Sequence, residues 1–226
     1  MPRLNDQYKA QLEAALTRDV CKAVFTIISR CPLNETGIDI FAMNMIAREA
    51  GVSTGTLYNF FGDKDHLIAR VIEESFADYR AAEARIASAV MPAEEKLRAL
   101  CEALMSLPIE AHKIAYALSV KRRSLPEVQK TLEAMAQGSD KAVLSIMEQG
   151  LREGIFENIE AEPLTMEFTS LMDMFTEIGL FRCGRYSAGE SAKTIMRLFM
   201  DGAGARPAAK RGRSEAANPA RRPKCL

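Results

Sequence analysis

A chain of 226 residues with an apolar fraction of 48% can bury a sizeable core, which excludes a largely disordered protein. No apolar run reaches the ~18 residues of a membrane-spanning helix, and the charged start MPRLNDQYKAQLEAAL lacks the apolar centre of a signal peptide. The 30 basic and 30 acidic residues cancel, so the net charge excludes no class of partner. We therefore expect a cytoplasmic protein without a membrane partner.

The first predicted helix carries one apolar stripe, because apolar residues recur every fourth position from Tyr8 to Ile28. The segment RCPLNETG breaks this pattern, and IDIFAMNMIAREA resumes it as a short second helix. Gly51 ends that helix, in the position after a helix where glycine is common. Ser53 then predicts the start of a third helix, because its hydroxyl can accept a hydrogen bond from the amide of Thr56.

The rest of the chain also follows helical patterns. Gly62 closes the third helix, and Asp63 predicts the cap of a fourth helix. Asp65 lies in the first turn of that helix, where the helix dipole stabilises a negative charge. The apolar residues of the fourth helix continue at helical spacing from Leu67 to about Ala89. Further helices are predicted near Ala93–Leu107, Ile109–Val120, Glu127–Glu153, Pro163–Arg182 and Glu190–Met200. Alternating strand patterns are absent, so we predict an all-α fold of about nine helices.

The stretch AGVSTGTLYNFFGDK, from Ala50 to Lys64, favours a helix-turn-helix whose second helix can enter a DNA major groove about 12 Å wide. Gly55 has no side chain, so the helix backbone can approach DNA closely there. Thr54 and Thr56 are short enough to reach bases and phosphates, and Lys64 begins a helix whose free amides can hold a phosphate. The spacing alone fits equally well with a structural helical hairpin in an ordinary bundle.

The segment IAREAGVSTGTLYNFFGDKDHL closely resembles the signature of the tetracycline-repressor (TetR) family of bacterial transcriptional regulators. The resemblance covers about Thr17 to Tyr79 and is weak downstream. It implies an N-terminal three-helix helix-turn-helix domain and a C-terminal helical ligand-binding and dimerisation domain, with the fourth helix linking them. It also implies a homodimer through the last two long helices, and repression of transcription until a small-molecule effector binds.

The family's DNA contacts can be carried onto matching positions of this chain. The family usually has a threonine capping its second helix, whereas this chain has Ala42 there, so we expect a neighbour to reach the DNA instead. The residues predicted to contact a double-stranded DNA operator are Asn44, Ser53, Thr54, Gly55, Thr56, Tyr58, Asn59 and Lys64.

Three parts of the chain are expected: a helix-turn-helix domain over residues 1–65, a ligand-binding and dimerisation domain over 66–201, and a tail over 202–226. The tail GAGARPAAKRGRSEAANPARRPKCL is basic and rich in alanine, proline and glycine, so we expect disorder. Its charge could attract nucleic acid non-specifically or simply keep the protein soluble.

The effector pocket is less clearly marked. Methionine and aromatic residues could line an adaptable apolar pocket, although core and dimer-interface roles are the more common ones. The predicted ligand contacts are Met105, His112, Tyr116, Met147, Phe168, Met172, Asp173 and Phe175. Asp173 and Glu177 share a helical face that could meet a cationic ligand or be solvated. Residues 121–123, KRR, could attract an anionic effector or form a charged loop.

An enzyme is the competing class, but the chain has only two histidines, no glycine-rich phosphate loop and no metal-ligand spacing. We therefore predict no catalytic residues, no metal and no cofactor. The five cysteines are scattered without a CxxC pair, which favours small core residues over redox sensing. A helical protein-interaction module, or an activator without small-molecule control, is the alternative function.

Overall fold

The computed structural model describes residues 2–30, 42–121, 125–181 and 187–203. Within these ranges the chain forms ten α-helices and no strand, which confirms the predicted all-α fold. The helices are α1 (Pro2–Ser29), α2 (Met43–Glu49), α3 (Thr54–Phe61), α4 (Lys64–Ser75), α5 (Ala77–Ser88), α6 (Ala93–Met105), α7 (Ile109–Lys121), α8 (Pro126–Arg152), α9 (Ala161–Phe181) and α10 (Ala188–Gly202). None of these helices is long and apolar enough to cross a membrane.

The described residues hold ten helices rather than about nine, because the predicted fourth helix is two helices. The chain leaves helical geometry at Phe76, with φ −107° and ψ 5°, so that α4 ends there and α5 begins at Ala77. The Phe76 side chain is buried at this bend. A one-residue break leaves the apolar spacing nearly unchanged on both sides, so periodicity could not reveal it.

The short-range signals for helix ends are confirmed. Gly51 follows α2 with φ 69°, and Gly62 follows α3 with φ 81°, both in the left-handed region that glycine adopts without a steric cost. The Ser53 hydroxyl accepts from the Thr56 amide at 3.0 Å. The Asp63 carboxylate accepts from the amide of the third α4 residue at 2.9 Å. These bonds satisfy helix donors that otherwise lack a partner.

The N-terminal helices surround a small apolar core. Helix α1 packs on α2 and α4, and α3 packs on both α2 and α4. Ile28, Ile46, Leu57 and Leu67, one from each of these four helices, are fully buried. Because Leu57 is buried while Gly55, Tyr58 and Asn59 are exposed, the core fixes which side of α3 faces the solvent.

The C-terminal helices are held by a cluster of aromatic rings. Phe199 of α10 makes edge-to-face contacts with Phe156 and Phe168, at centroid distances of 5.7 Å and 5.1 Å. Gly150 of α8 lies against this cluster, and a Cβ there would come within 2.7 Å of the Phe156 ring. The glycine is therefore required by close packing, and α8 lies against α6 and α9.

Two cysteines fall within the described residues, and both are buried free thiols. Burial is the main cause that raises the pKa of Cys21 and of Cys101 to about 12, so both thiols remain protonated. This arrangement agrees with their predicted role as small core residues. Cys31, Cys183, Cys225 and the predicted disordered tail beyond residue 203 lie outside the described residues.

Candidate nucleic-acid interface and effector cleft

Helices α2 and α3 form a helix-turn-helix with a closely bonded turn. The amide of Val52 donates to the Ala47 carbonyl at 3.0 Å, and the Gly51 amide donates to the Arg48 carbonyl at 3.3 Å. These two bonds, with the left-handed Gly51 between them, form a Schellman motif that ends α2. The Ser53 cap then starts α3 only two residues after Gly51, so the angle between the two helices is set locally.

One face of α3 is open to solvent. Gly55 and Asn59 are exposed, Tyr58 is 48% exposed, and Thr54 is half-buried beside them. Positions four apart lie on the same side of a helix, so these four predicted DNA contacts share a single outward face. The opposite face of α3 packs into the core through Leu57.

Two other predicted DNA contacts are engaged within the chain. The hydroxyl oxygens of Ser53 and Thr56 lie 2.8 Å apart in a hydrogen bond, in addition to the bond from the Thr56 amide to Ser53. These hydroxyls therefore stabilise the start of α3. A phosphate approaching the helix would still meet the amides of its first turn.

Gly55 is not required by the fold. It lies in a helix, without a left-handed φ, and a Cβ at this position would meet only the Ser53 hydroxyl at 3.6 Å, an ordinary contact. Glycine in a helix costs about 0.5–1 kcal/mol relative to alanine. The fold therefore gives no reason for a glycine at this position, and on the outward face of the helix-turn-helix it leaves the helix backbone open to close approach by another molecule.

The amino ends of α2 and α4 border the same region. Ala42, at the cap position of α2, makes no side-chain bond, but the exposed Asn44 accepts the Met45 amide through Oδ1 at 2.8 Å. Asn44 thus replaces part of the missing cap. Lys64 is the first residue of α4 and is half-buried. The structure thus places both residues at helix amino ends, which favour anions.

A pair of ionisable groups flanks Lys64. Asp63 Oδ1 accepts from both the amide and the ring Nδ1 of His66, each at 2.9 Å. The amide hydrogen bond, followed by the ring contact, lowers the pKa of Asp63, and the hydrogen bond and charge of Asp63 raise the pKa of His66. Both side chains are well exposed, so the pair is a solvated cap.

A contact that sequence reasoning missed joins α4 to α8. Asp65, in the first turn of α4, accepts the amide of Glu127 at 2.9 Å and the amide of Val128 at 3.0 Å. Leu125, at the cap position of α8, provides no side-chain bond. The start of α8 is therefore capped by a residue 62 positions earlier, for which no local sequence signal exists.

The predicted ligand contacts are scattered. Met147 and Phe168 are fully buried in the core, while Met105, Tyr116 and Phe175 are half-buried. His112 is also buried, and burial lowers its pKa although a hydrogen bond to the Leu104 backbone opposes that shift. Only Met172 and Asp173 line the same cavity. The Glu177 side chain and the basic residues 122–123 lie outside the described part of the chain.

That cavity, termed here the effector cleft, has a volume of about 370 Å³. Its remaining lining residues are Phe76, Tyr79, Arg80, Leu104, Met135, Ala136, Ser139, Asp140 and Thr169. A second cavity of about 460 Å³ runs between α8 and helices α4 and α5, and shares Arg80 and Met135 with the first. Both volumes lie within the usual range of small-molecule sites.

A buried polar cluster lies where these two cavities adjoin. Glu83 accepts the Tyr79 hydroxyl at 3.2 Å and also the Ser139 hydroxyl, both through Oε1. Burial, and next the negative charge of Glu83, raise the pKa of Tyr79, so its hydroxyl remains a hydrogen-bond donor. The four-residue spacing of Tyr79 and Glu83 was visible in the sequence. The partner from α8 was not.

No group of three histidine, cysteine, aspartate or glutamate side chains that could hold a metal ion occurs within the described residues. The features that the structure does bring together are an outward helix-turn-helix face and a separate pair of cavities. These features define the class of a helix-turn-helix DNA-binding regulator with a helical second domain.

Comparison with known proteins shows which family the helix-turn-helix segment is similar to. Residues 33–71 match the model for bacterial regulatory proteins of the tetR family, a segment that includes α2, α3 and most of α4. Over at least 80% of the chain the fold is shared with solved TetR-family transcriptional regulators. The predicted resemblance is thus confirmed by sequence in the DNA-binding segment and by fold over most of the chain.

Three solved structures illustrate the likeness. The TetR-family regulator PfmR from Thermus thermophilus is 19% identical, with a TM-score of 0.66 over 80% of this chain and 97% of that one. FadR from Bacillus subtilis, in complex with stearoyl-CoA, is 19% identical, with a TM-score of 0.68 over 82% and 98%. A protein from Saccharomonospora viridis in complex with choline is 16% identical, with a TM-score of 0.66 over 83% and 95%. No curated protein matches the sequence.

Proposed function

We propose that the protein is a homodimeric transcriptional repressor that binds an inverted-repeat operator through α3 and is released by a small-molecule effector. The single observation that carries the DNA-binding part is Gly55, whose missing side chain serves no purpose within the described fold. Thr54, Tyr58 and Asn59 would contact bases or sugar-phosphate beside it, and Lys64 would contact a phosphate. The proposed site of action is the cytoplasm, where the DNA is accessible.

The proposed dimer interface is formed by α9 and α10. Met166 and Met174 of α9 are 69% and 43% exposed, and Leu198 of α10 is also exposed. Positions 166, 170 and 174 follow each other on one side of α9, and the two helices pack together. Two exposed methionines on one side of α9, with the exposed Ser170 between them, and an exposed leucine on α10 support pairing with a second copy, which would bury these side chains.

The proposed control links the effector cleft to the DNA through α4. This helix begins at Lys64, ends at the bend that lines the cleft, and is tied to α8 by Asp65. A ligand can release DNA only by binding the low-affinity arrangement better, and a factor of ~100 requires about 2.7 kcal/mol. Equal separation of the recognition helices in ligand-free and ligand-bound dimers would contradict this lever.

The fold alone does not determine which effector is bound. Its structural relatives include one protein solved with stearoyl-CoA and another with choline, ligands of opposite charge. The chemical class of the effector therefore depends on the residues that line this chain's own cavities.

Selection of bound fragments from random or genomic DNA tests the DNA-binding part directly. The purified protein is incubated with the fragments at about 150 mM salt, which suppresses binding to phosphates alone. An inverted repeat is the expected result, because a symmetric dimer contacts two half-sites. Tyr58→Ala with Lys64→Ala should abolish the selection while leaving the oligomeric state unchanged.

The competing functions predict other outcomes. Recovery of no preferred sequence from ligand-free protein would favour a helical protein-interaction module. A preferred sequence whose binding raises transcription of the adjacent gene would indicate an activator. For an enzyme, the purified protein would have to carry a bound cofactor or show turnover, and we propose that it does neither.

A further inference from the structure

A buried carboxyl group lines the larger cavity beside α8, and the two side chains that bond to it line the effector cleft. Glu83 is only 6% exposed, and its two hydroxyl donors, Tyr79 and Ser139, both bond to Oε1. Oε2 receives neither bond, and Glu83 is part of the wall of the larger cavity. No fully buried polar side-chain atom of the described residues lacks a partner, so Oε2 is open to the solvent, and a donor or a positive charge can reach it.

The effector cleft next to this carboxyl has an apolar interior. Phe76, Tyr79, Leu104, Met135 and Met172 contribute rings, a leucine side chain and two thioethers to its lining. These side chains fit an alkyl or aryl body, and methionine adapts to irregular shapes. The faces of the two rings can also attract a cation.

The charges along the two cavities favour the same kind of ligand. Five acidic residues but only two basic residues line them. Lys130 is already 3.7 Å from the carboxylate of Glu127, and Arg80 donates to the Glu73 carbonyl at 3.2 Å. Glu73 is likewise paired with Arg70, and the acidic residues that remain still outnumber the basic ones, which favours a cation over an anion.

We propose that an organic cation binds across the two adjoining cavities, with its apolar body in the effector cleft and its positive charge paired with Glu83 in the larger cavity. This inference rests on the proposed function and deepens it, because it names the chemical class of the effector. Tyr79 and Ser139 hold the Glu83 carboxyl in place, and Asp140 and Asp173 line the effector cleft.

Calorimetry with two amphiphiles of equal chain length tests the ligand class. Decyltrimethylammonium and decanoate are titrated separately into the full-length protein, both below their micelle concentrations. The cation should bind at least about tenfold more tightly, because its positive charge is attracted to the Glu83 carboxylate, whereas the carboxylate of decanoate is repelled. Decanoate binding as tight as the cation, or no cation binding, would overturn the inference.

Matched variants identify the carboxylate that gives the preference for the cation over decanoate. Glu83→Gln keeps an oxygen that can accept from Tyr79 and Ser139 but removes the negative charge, so it should lose the cation preference. Glu102→Gln, at an exposed position of α6, should keep it. Asp140→Asn changes an exposed position outside the core and should lower the affinity for the cation at least about twofold. A preference unchanged in both Glu83→Gln and Asp140→Asn overturns the proposal.

Failure of the ligand class and failure of the regulator can be told apart. The same preparation, free of amphiphile, is used in the DNA selection described above. A recovered DNA sequence together with absent cation preference rejects only the cationic effector. Absence of any preferred DNA sequence rejects the proposed regulator, whatever the cleft binds.

Discussion

At the scale of single residues, Gly55 allows an effect on stability to be distinguished from an effect on DNA binding. Gly55→Ala should raise the free energy of unfolding by about 0.5 kcal/mol, because alanine restricts the unfolded chain and suits a helix better. The same variant should weaken binding to the selected DNA at least about tenfold, because its methyl group would separate the helix backbone from the groove. Chemical denaturation and a DNA titration measure the two effects.

Gly138 provides the matched control for Gly55. It is also an exposed helical glycine, in α8, and a Cβ there meets no atom within 4 Å. Gly138→Ala should stabilise the protein similarly without changing DNA affinity. Gly150→Ala should instead destabilise it by about 1–3 kcal/mol, because its methyl group would overlap the Phe156 ring. DNA affinity that is unchanged in Gly55→Ala would contradict the proposed close approach.

The pKa values of the two histidines should lie on opposite sides of the usual value of 6.5. His66 has a raised pKa because it bonds to Asp63, and His112 has a lowered pKa because it is buried. His66 therefore stabilises the fold fully below pH 6.5, and this contribution is lost as pH rises through its folded pKa. The contribution of neutral His112 is present above pH 6.5 and is lost as pH falls through its folded pKa.

Proton NMR can follow both rings, since the chain has only two histidines. Asp63→Asn should return the pKa of His66 toward 6.5 and leave that of His112 unchanged. The pKa of Asp63 itself is lowered, so its contribution persists above the usual 3.8 and is lost as pH falls through the folded value. A His66 titration that is the same in wild type and Asp63→Asn would disprove the pairing.

At the scale of helices, local signals predicted what lies within a few residues and missed what the fold brings together. Ser53 and Gly51 mark helix ends through bonds to neighbours along the chain, so their sequence positions suffice. The break at Phe76 leaves the apolar period intact and was not foreseen. The Glu83–Ser139 bond spans 56 positions and depends on how α8 packs. The effector cleft is built from such long-range packing, which explains why most predicted ligand residues do not line it.

The cap of α8 by Asp65 can be tested as an element-scale contact. Asp65→Ala should lower the free energy of unfolding by about 1–2 kcal/mol, because two amides at the start of α8 lose their acceptor. Hydrogen exchange should quicken at Glu127 and Val128 in particular. Asp78→Ala, which removes an exposed acid from the first turn of α5, should leave those two amides protected. Equal protection of these amides in Asp65→Ala and wild type would contradict the cap.

At the scale of the whole molecule, two recognition helices act together only if two chains are held at a fixed separation. Family resemblance predicts this dimer, and a single chain can indicate its interface only through exposed apolar side chains. Three of the ten exposed large apolar side chains among the described residues, Met166, Met174 and Leu198, lie on α9 and α10, whereas the DNA-facing α3 packs on α2 and α4. The proposed assembly therefore separates pairing from DNA contact, so each can be removed without the other.

Charged substitutions on α9 should separate the two chains. Met166→Glu with Met174→Glu would place negative charge at the centre of the proposed interface, where two copies would repel and lose apolar burial. Light scattering should report a monomer, and affinity for an inverted repeat should fall about a hundredfold or more because the second half-site is no longer tethered. Val90→Glu, at an apolar residue that is 106% exposed ahead of α6, is the control and should remain dimeric. A double variant that stays dimeric would place the interface elsewhere, because two facing pairs of like charges cannot be buried without a large desolvation cost.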